Sequence, residues 1–519
     1  MEIDAMQYAS ISRELLRGEN FLHLFDNSQP YLDKPPLIFW VTALFFKVFG
    51  ASNFIYRLPS LIFSILTIYA VFKFSRLYYS RKTSLIAALI LSSCEAFFIM
   101  NSDVRTDIYM IAPMMVSIWK ISTYFQRGDR LSLLIGSIFI AFSMMGKGPL
   151  GMMIPVLLFT FDLILKRQTV KILDTNLLWF FFVILLCLLP MSYGLYTQFG
   201  LLGIKFFYWT QSFGRITGSS SWSNNTGPFY LLNVFFYAFL PWTILFIMAF
   251  YRRTKDIIRN KKISLNDELI SYAGFLIPLI MLSLSSYKLP HYIYCTVPFA
   301  AILIAREIER WLNHDKLYLI LSFTQLTLGL ILVVTVSIIS FYVFPQDDYF
   351  FLIPMVLFIA IMGYVFISSQ DRIFRFFIPS VVAALIANYN LNLFFMTPLL
   401  TYQASSQAGA YLKKSFNEAD IYLYNENKRA KSRSFNYYLD KDVNYIEGDI
   451  NDLKLTKNRS ALIYTGDKGY NNIINQNIGV ELIAVFDSFR VSKLNWKFLN
   501  KKTRSFVVKN KYLLMLTKE

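Results

Sequence analysis

Long apolar runs constrain this chain more than anything else in it. Leu58 to Tyr79, Leu177 to Tyr196 and Phe229 to Tyr251 are each long enough to cross a bilayer, since about 20 residues at a 1.5 Å rise span the roughly 30 Å hydrocarbon core. In that solvent only helices and closed barrels satisfy their backbone groups, and these runs lack the alternation of barrel strands. Composition agrees. Of 519 residues 55% are hydrophobic and 16% charged, against about 25% charged in a soluble globular domain. So little charge cannot clothe so much apolar material, and the chain reads as a polytopic α-helical membrane protein.

Apolar blocks set against their breakers predict about twelve spans: 59–79, 83–101, 107–125, 131–146, 150–165, 177–197, 229–250, 268–286, 290–305, 317–343, 350–368 and 376–397. Pro36 to Gly50 is apolar but too short to cross, which suits a helix lying in the interface.

The connections alternate in character. One set is rich in basic residues, among them Arg76, Arg81, Lys82, Arg127, Lys166, Lys171, Arg252, Arg259, Arg306 and Arg372. The other set holds only Arg105, Lys147, Lys205, Arg215 and Lys288, with acidic Asp347 and Asp348. Basic loops stay in the cytoplasm, so the second set, residues 1–57 and everything after 398 are expected outside. The net charge of +18 thus belongs to membrane topology and not to nucleic acid. Residues 1–57 need something to carry them across, so a thirteenth span upstream is expected. The visible chain opens in an amphipathic helix, with Tyr8, Ile11 and Leu15 on one side and Arg13 and Glu14 outward.

After Leu400 short strand-like runs appear: Ile421 to Tyr424, Val443 to Ile446, Ala461 to Tyr464, Val480 to Phe486 and Tyr512 to Leu516. Polar turns such as Asp440–Asp442 and Gly466–Gly469 separate them. Residues 399–519 are therefore expected to form a small α/β domain outside the bilayer, with 1–57 a juxtamembrane catalytic segment and 58–398 the bundle. The charge run Asn427 to Arg433 suits a solvated face. Cys94, Cys187 and Cys295 lie inside apolar blocks, which suits inert packing residues.

Polar residues gather in the outer connections, where they mark function because a bilayer expels them without cause. They are Glu2, Asp4 and Tyr8; Tyr31 to Pro36; Asn101 to Asp107; Gly146 to Pro149; Gln211 to Pro228; and Ser286 to His291. Asp103 and Asp107 are four apart and would share a helix face, with Arg105 pointing elsewhere. Carboxylates and lone cations at the mouths of apolar helices point to a site for a lipid-linked phosphate. The cations would hold the phosphate and a carboxylate would orient or deprotonate a nucleophile.

In this order the segments resemble the aminoarabinose transferase and protein O-mannosyltransferase group of membrane glycosyltransferases. The resemblance is dense over residues 1–310. Asp4 to Glu14 is similar to the group's first outer helix, which opens with an Asp-Glu pair. Asp4 matches the Asp, Ala5 stands in place of the Glu, and Glu2 lies nearby. Tyr31-Leu32-Asp33-Lys34-Pro35-Pro36 resembles a Tyr-Phe-Glu-Lys-Pro-Pro segment, with Asp33 for Glu. Arg57-Leu58-Pro59, Thr106-Asp107, Lys147-Gly148-Pro149 and Lys288-Leu289-Pro290-His291-Tyr292 match four more motifs. Where the aminoarabinose transferases carry a His before a Pro-aromatic pair, linked to a metal, this chain reads Asn224-Asn225-Thr226-Gly227-Pro228-Phe229.

The resemblance implies transfer of a sugar from a polyprenyl (undecaprenyl) phosphate to a lipid A-like, glycan or protein acceptor at the outer face of a bacterial inner membrane. It assigns Asp4 and Asp107 to catalysis. Lys34, Arg57, Lys147, Arg215, Lys288 and His291 become donor-phosphate candidates. Asp33 and Asn225 are the pair that would hold a divalent cation, and Glu2, Tyr8, Tyr31 and Asp103 are further site candidates. The alternative is a transporter or flippase of a lipid-linked saccharide, which would place charges near the bilayer midplane in paired halves. Charges on one face and no paired halves favour the enzyme.

Overall fold

The computed structural model describes the chain except residues 1–2, 19, 212–213, 215–222, 225, 260–263, 346–352, 369–370, 417–418, 425–432, 442, 447–460 and 518–519. Glu2, Arg215, Asn225, Asp347, Asp348 and most of the 427–433 charge run therefore lie outside the described residues. Backbone contacts divide the chain into two compact units. The larger comprises Ile11–Val333 and Phe358–Ile386; the smaller comprises Met1–Ser10, Val334–Leu357 and Ala387–Glu519.

Helix dominates the larger unit, and each of the twelve expected apolar stretches contains it. After α1 (Ile3–Arg17) come α2 (Leu37–Phe49), α3 (Asn53–Ser75), α4 (Arg81–Ser92), α5 (Glu95–Ser102), α6 (Thr106–Arg127), α7 (Arg130–Lys147), α8 (Leu150–Leu165) and α9 (Asn176–Phe199). Among the described residues five helices are long and apolar enough to cross a bilayer alone: α3, α7, α9, Asp315–Val343 and Arg372–Leu400. The pair α4 and α5 is long and apolar enough only when taken together, and it is bent by 57° at its break. The other stretches are shorter or interrupted, as where Tyr230–Ala238 and Thr243–Arg259 are separate helices. The chain is a multi-pass membrane protein. Helix α6 is long but more polar, and it is buried along most of its length. That suits a helix screened from lipid by its neighbours.

Helix α2 is 13 residues long, or about 20 Å, too short to cross. It buries Leu37, Ile38, Phe39 and Phe46 while exposing Leu44, Val48 and Phe49. A two-residue turn at Asn27 and Ser28, both at positive φ, joins β1 (Phe25–Asp26) to β2 (Gln29–Pro30). The Glu14 carboxylate accepts from both turn amides, at 2.7 and 3.1 Å.

One glycine sets the spacing of α6 and α7. A Cβ on Gly146 would lie 2.5 Å from the Tyr109 carbonyl oxygen, so only glycine lets the end of α7 press against the start of α6. Ser143 Oγ donates to the Met110 carbonyl at 2.9 Å beside it. Two residues on, Gly148 takes φ +81°, which turns the chain directly into α8.

The smaller unit holds a five-stranded sheet in the order β4-β3-β5-β7-β6. β3 (Asp420–Tyr424) pairs parallel with β4 (Asn444–Ile446) and with β5 (Ala461–Gly466). β7 (Lys509–Leu516) runs antiparallel to β5 and to β6 (Val480–Ser488). All five expected strands are present. The turn expected at Gly466–Gly469 is instead the start of a helix, Asp467–Asn475. Asp467 in its first turn favours a helix N-terminus, and the close approach of Gly469 to Tyr424 and Thr465 seats it on the sheet. A separate core of Val343, Phe344, Phe395, Leu399, Val491 and Phe498 joins the ends of two membrane helices to residues 489–508. Arg504 sits at its centre, donating to the carbonyls of Val343 and Phe498 with its guanidinium 4.6 Å from the Phe344 ring.

Candidate functional site

Asp107 occupies the first turn of α6 and is buried. A carboxylate there is favoured by the amide dipoles of the helix start. Lys147, the last residue of α7, forms an ion pair with Asp107 Oδ1. Gly146 explains this contact, because the two helices could not otherwise close at that level. Lys147 also stands 4.4 Å over the Tyr292 ring.

The other oxygen, Asp107 Oδ2, is buried and has no hydrogen-bond partner among the described residues. His291 Nε2 faces it at 3.8 Å, too far for a direct bond. His291 begins the short 3-10 helix Pro290–Thr296. Besides Asp107, it lies within electrostatic reach of Lys147, Arg105 and Lys34. Four motifs far apart in sequence thus converge around His291.

Each converging cation brings an acid. Lys34 pairs with Asp33 at 2.8 Å, Arg105 with Asp103 at 2.7 Å and Lys147 with Asp107. Asp103 and Asp107 do not share a helix face as expected. Helix α5 ends at Ser102, and both Asp103 and Arg105 are extended. Side chains two apart on an extended segment point the same way, so Asp103 faces Arg105.

Lys288 is buried, and its Nζ donates to the Thr226 carbonyl at 3.0 Å. Asn224 clamps the same residue from the other side, accepting from Lys288 N–H at 3.0 Å and donating to its carbonyl at 2.6 Å. Lys288 therefore holds the 224–226 segment in place. Arg57 donates to the Asn53 carbonyl of its own helix at 3.2 Å. Tyr31 is buried, with its ring edge-on to Phe39. Asp4 and Tyr8 occupy the first two turns of α1, in the smaller unit, and Tyr8 is buried.

Sequence reading passed over Tyr292, Asn224 and Gln211. Gln211 donates its side-chain amide to the Asp33 carbonyl. Tyr292 and Asn224 lie within motifs already marked, so nearness to a marked residue is the signal that would have found them. Gln211 has none. Of the expected cation pair Asp33 and Asn225, Asn225 lies outside the described residues. The Asp33 carboxylate is taken by Lys34, and no three His, Cys, Asp or Glu side chains converge among the described residues.

The model of the dolichyl-phosphate-mannose-protein mannosyltransferase family matches residues 33–193. An uncharacterised protein of Aquifex aeolicus is 26% identical over 325 residues, 62% of this chain and 70% of that one. The undecaprenyl phosphate-alpha-4-amino-4-deoxy-L-arabinose arabinosyl transferase of Shewanella sediminis is 25% identical over 327 residues, 60% of this chain and 57% of its own length. In structure the chain is similar to ArnT from Cupriavidus metallidurans bound to undecaprenyl phosphate. The TM-score is 0.74 at 15% identity, covering 99% of this chain and 93% of that one. The resemblance carried by the loop motifs is borne out, in sequence by the arabinosyl transferases and in fold by ArnT. None of these relatives speaks for the transporter alternative.

Proposed function

We propose that this chain, a relative of the aminoarabinose and protein O-mannosyl transferases, is itself a glycosyltransferase that takes a hexose or pentose from a polyprenyl phosphate. One observation carries the reading most. The buried Asp107 carboxylate has one oxygen neutralised by Lys147 and the other open toward His291.

The acceptor hydroxyl enters beside Asp107 Oδ2, which accepts its hydrogen bond and then its proton as the oxygen attacks the anomeric carbon. The bond from that carbon to the phosphate oxygen breaks on the opposite side, and the electron pair leaves with polyprenyl phosphate. The product is inverted. Lys34 and Arg105 hold the leaving phosphate, each exchanging its adjacent acid for the phosphate oxygens. A neutral His291 has one donor and one acceptor nitrogen, which lets it bridge the sugar and Asp107. If the acceptor is itself a phosphate, Asp107 positions it and takes no proton.

Basic loops favour the cytoplasm. That supports placing the Asp107 end, and the α/β part of residues 399–519, on the outer face of a bacterial inner membrane. The acceptor is then a lipid A-like, glycan or protein hydroxyl or phosphate on that face. Residues 399–519 concern acceptor handling or assembly.

The test uses membranes containing the protein, polyprenyl phosphates bearing labelled sugars, and acceptor-containing membranes. Release of polyprenyl phosphate is expected from wild type and should fall at least about 100-fold for Asp107→Asn. Equal release from both would remove Asp107 from catalysis. No release from any donor would sink the transferase reading. Asp4→Asn is assayed in parallel, and an undiminished rate would strike Asp4 from the candidates.

A further inference from the structure

We infer that residues 490–509 form a foot that rests on an anionic phospholipid surface where the membrane helix Asp315–Val343 ends. The inference does not depend on the transferase reading. It starts from charge. Residues 489–511 carry eight basic side chains and no acidic one, and Lys493, Lys497, Lys501 and Lys502 are all exposed. Within the same stretch Trp496 is 70% and Phe506 82% exposed. Large aromatic side chains left bare among lysines are unusual on a water-facing surface, where they cost solvation and invite association. They are the ordinary composition of a protein surface at headgroup level, where Trp and Tyr collect and Lys stems lie along the apolar boundary with the ammonium in water.

Position decides what covers this surface. Trp496 stacks on Tyr342, with ring centroids 6.4 Å apart and an interplanar angle of 19°. Tyr342 is half exposed in the last turn of Asp315–Val343, one of the helices apolar enough to cross a bilayer. Trp496 thus continues the lipid-facing surface of that helix at the point where it leaves the membrane. The attachment is firm. Phe498, two residues on, packs with Val343, Phe344, Phe395 and Leu399 in one core, and Arg504 bonds the Val343 and Phe498 carbonyls. Asn495 caps the short helix Trp496–Leu499 through the Phe498 amide at 2.9 Å. Cations held rigidly at the bilayer margin face the one partner that is always there, the phosphate plane of the lipid. A protein partner would have to displace it.

Hydrogen exchange on the full chain, one copy per lipid nanodisc, tests this. Amides of 490–508 should exchange roughly tenfold more slowly in discs containing phosphatidylglycerol than in phosphatidylcholine discs, the scale a few lysines supply at an anionic surface. Changing Lys493, Lys497, Lys501 and Lys502 together to Gln should abolish the difference while β5 and β7 exchange as before. If that variant loosens the sheet, Phe506→Ser reads the same contact from the apolar side and should shrink the slowing. Equal exchange in both lipids would overturn the inference. So would slowing seen only in discs holding two copies, which would make the surface a contact between protein chains.

Discussion

The two ends of the helical bundle in the larger unit use the same residue types to opposite effect. At the basic end Arg253 bonds the Glu268 carbonyl at 2.8 Å and pairs with Asp267 at 2.9 Å. Glu268 also accepts from Tyr79 at 3.1 Å and from the Ser271 amide at 2.6 Å. Arg252 faces Glu307 at 3.3 Å, and Lys166 faces Asp162 at 2.9 Å. Buried atoms without a hydrogen bond among the described residues occur there too, among them Asp162 Oδ1, Arg253 Nε and Arg306 Nη1, but Asp162 Oδ1 still has Lys166 Nζ at 2.9 Å. At the other end Asp107 is as deeply buried, and its oxygen without a hydrogen bond faces His291 at the longer distance of 3.8 Å. A closed network holds helices together. An open one stores an interaction for something that arrives. Burial and charge alone do not separate a functional cluster from a structural one; what sets Asp107 apart is an oxygen held off its nearest facing ring nitrogen, His291 Nε2 at 3.8 Å.

The largest effect should come from breaking the closed end. Arg253→Met removes the ion pair with Asp267, leaving Arg306 at 3.5 Å from it, and strips the Glu268 carbonyl of its bond; unfolding in detergent should show a loss of about 3–5 kcal/mol. A change under about 1 kcal/mol would mean that the network is looser than its distances imply.

Next comes the open end, approached from behind. Gly146→Val pushes α7 from α6 and moves Lys147 off Asp107. Misplacement on the scale of an ångström costs about 100-fold in turnover, so polyprenyl phosphate release should fall about that far. If release holds, the Asp107–Lys147 pair is not what the reaction needs. His291→Ala should lower kcat/KM about tenfold, or roughly 1.4 kcal/mol, with little change in melting temperature. A drop in stability without a drop in rate would move His291 to the structural side of the comparison. The smallest effect belongs to Asp103→Ala. Its pair with Arg105 is partly exposed, and the melting transition should move by no more than about 1 kcal/mol.

Much of this was legible from residues alone, for reasons that differ by region. Apolar length marked the helical stretches because the bilayer permits little else. Strands β3 to β7 were legible because short β-branched and aromatic runs lay between polar turns. The site's members were marked by motif, but its pairings were not. Lys147 meets Asp107 only because Gly146 lets α7 close on α6, a contact that sequence spacing does not encode. Asp103 and Asp107 share no helix face because α5 ends before Asp103 and α6 begins only at Thr106. Asn224 clamps Lys288 through its amide, a pairing that depends on the path of the chain and not on the motif. The closed network escaped notice because its basic members had already been explained by topology.

The Arg504 junction also has a schedule. Its guanidinium reaches a carbonyl 161 residues earlier in the chain. At a synthesis rate of about 5–20 residues per second, that carbonyl waits roughly ten to thirty seconds for its partner. For the later part of that interval the end of Asp315–Val343 has Phe395, Leu399 and Tyr402 against Phe344 but not yet Phe498 and Arg504. The nascent protein is thus most exposed to quality control at this one seam, and a premature stop anywhere between Leu399 and Arg504 would leave it open for good.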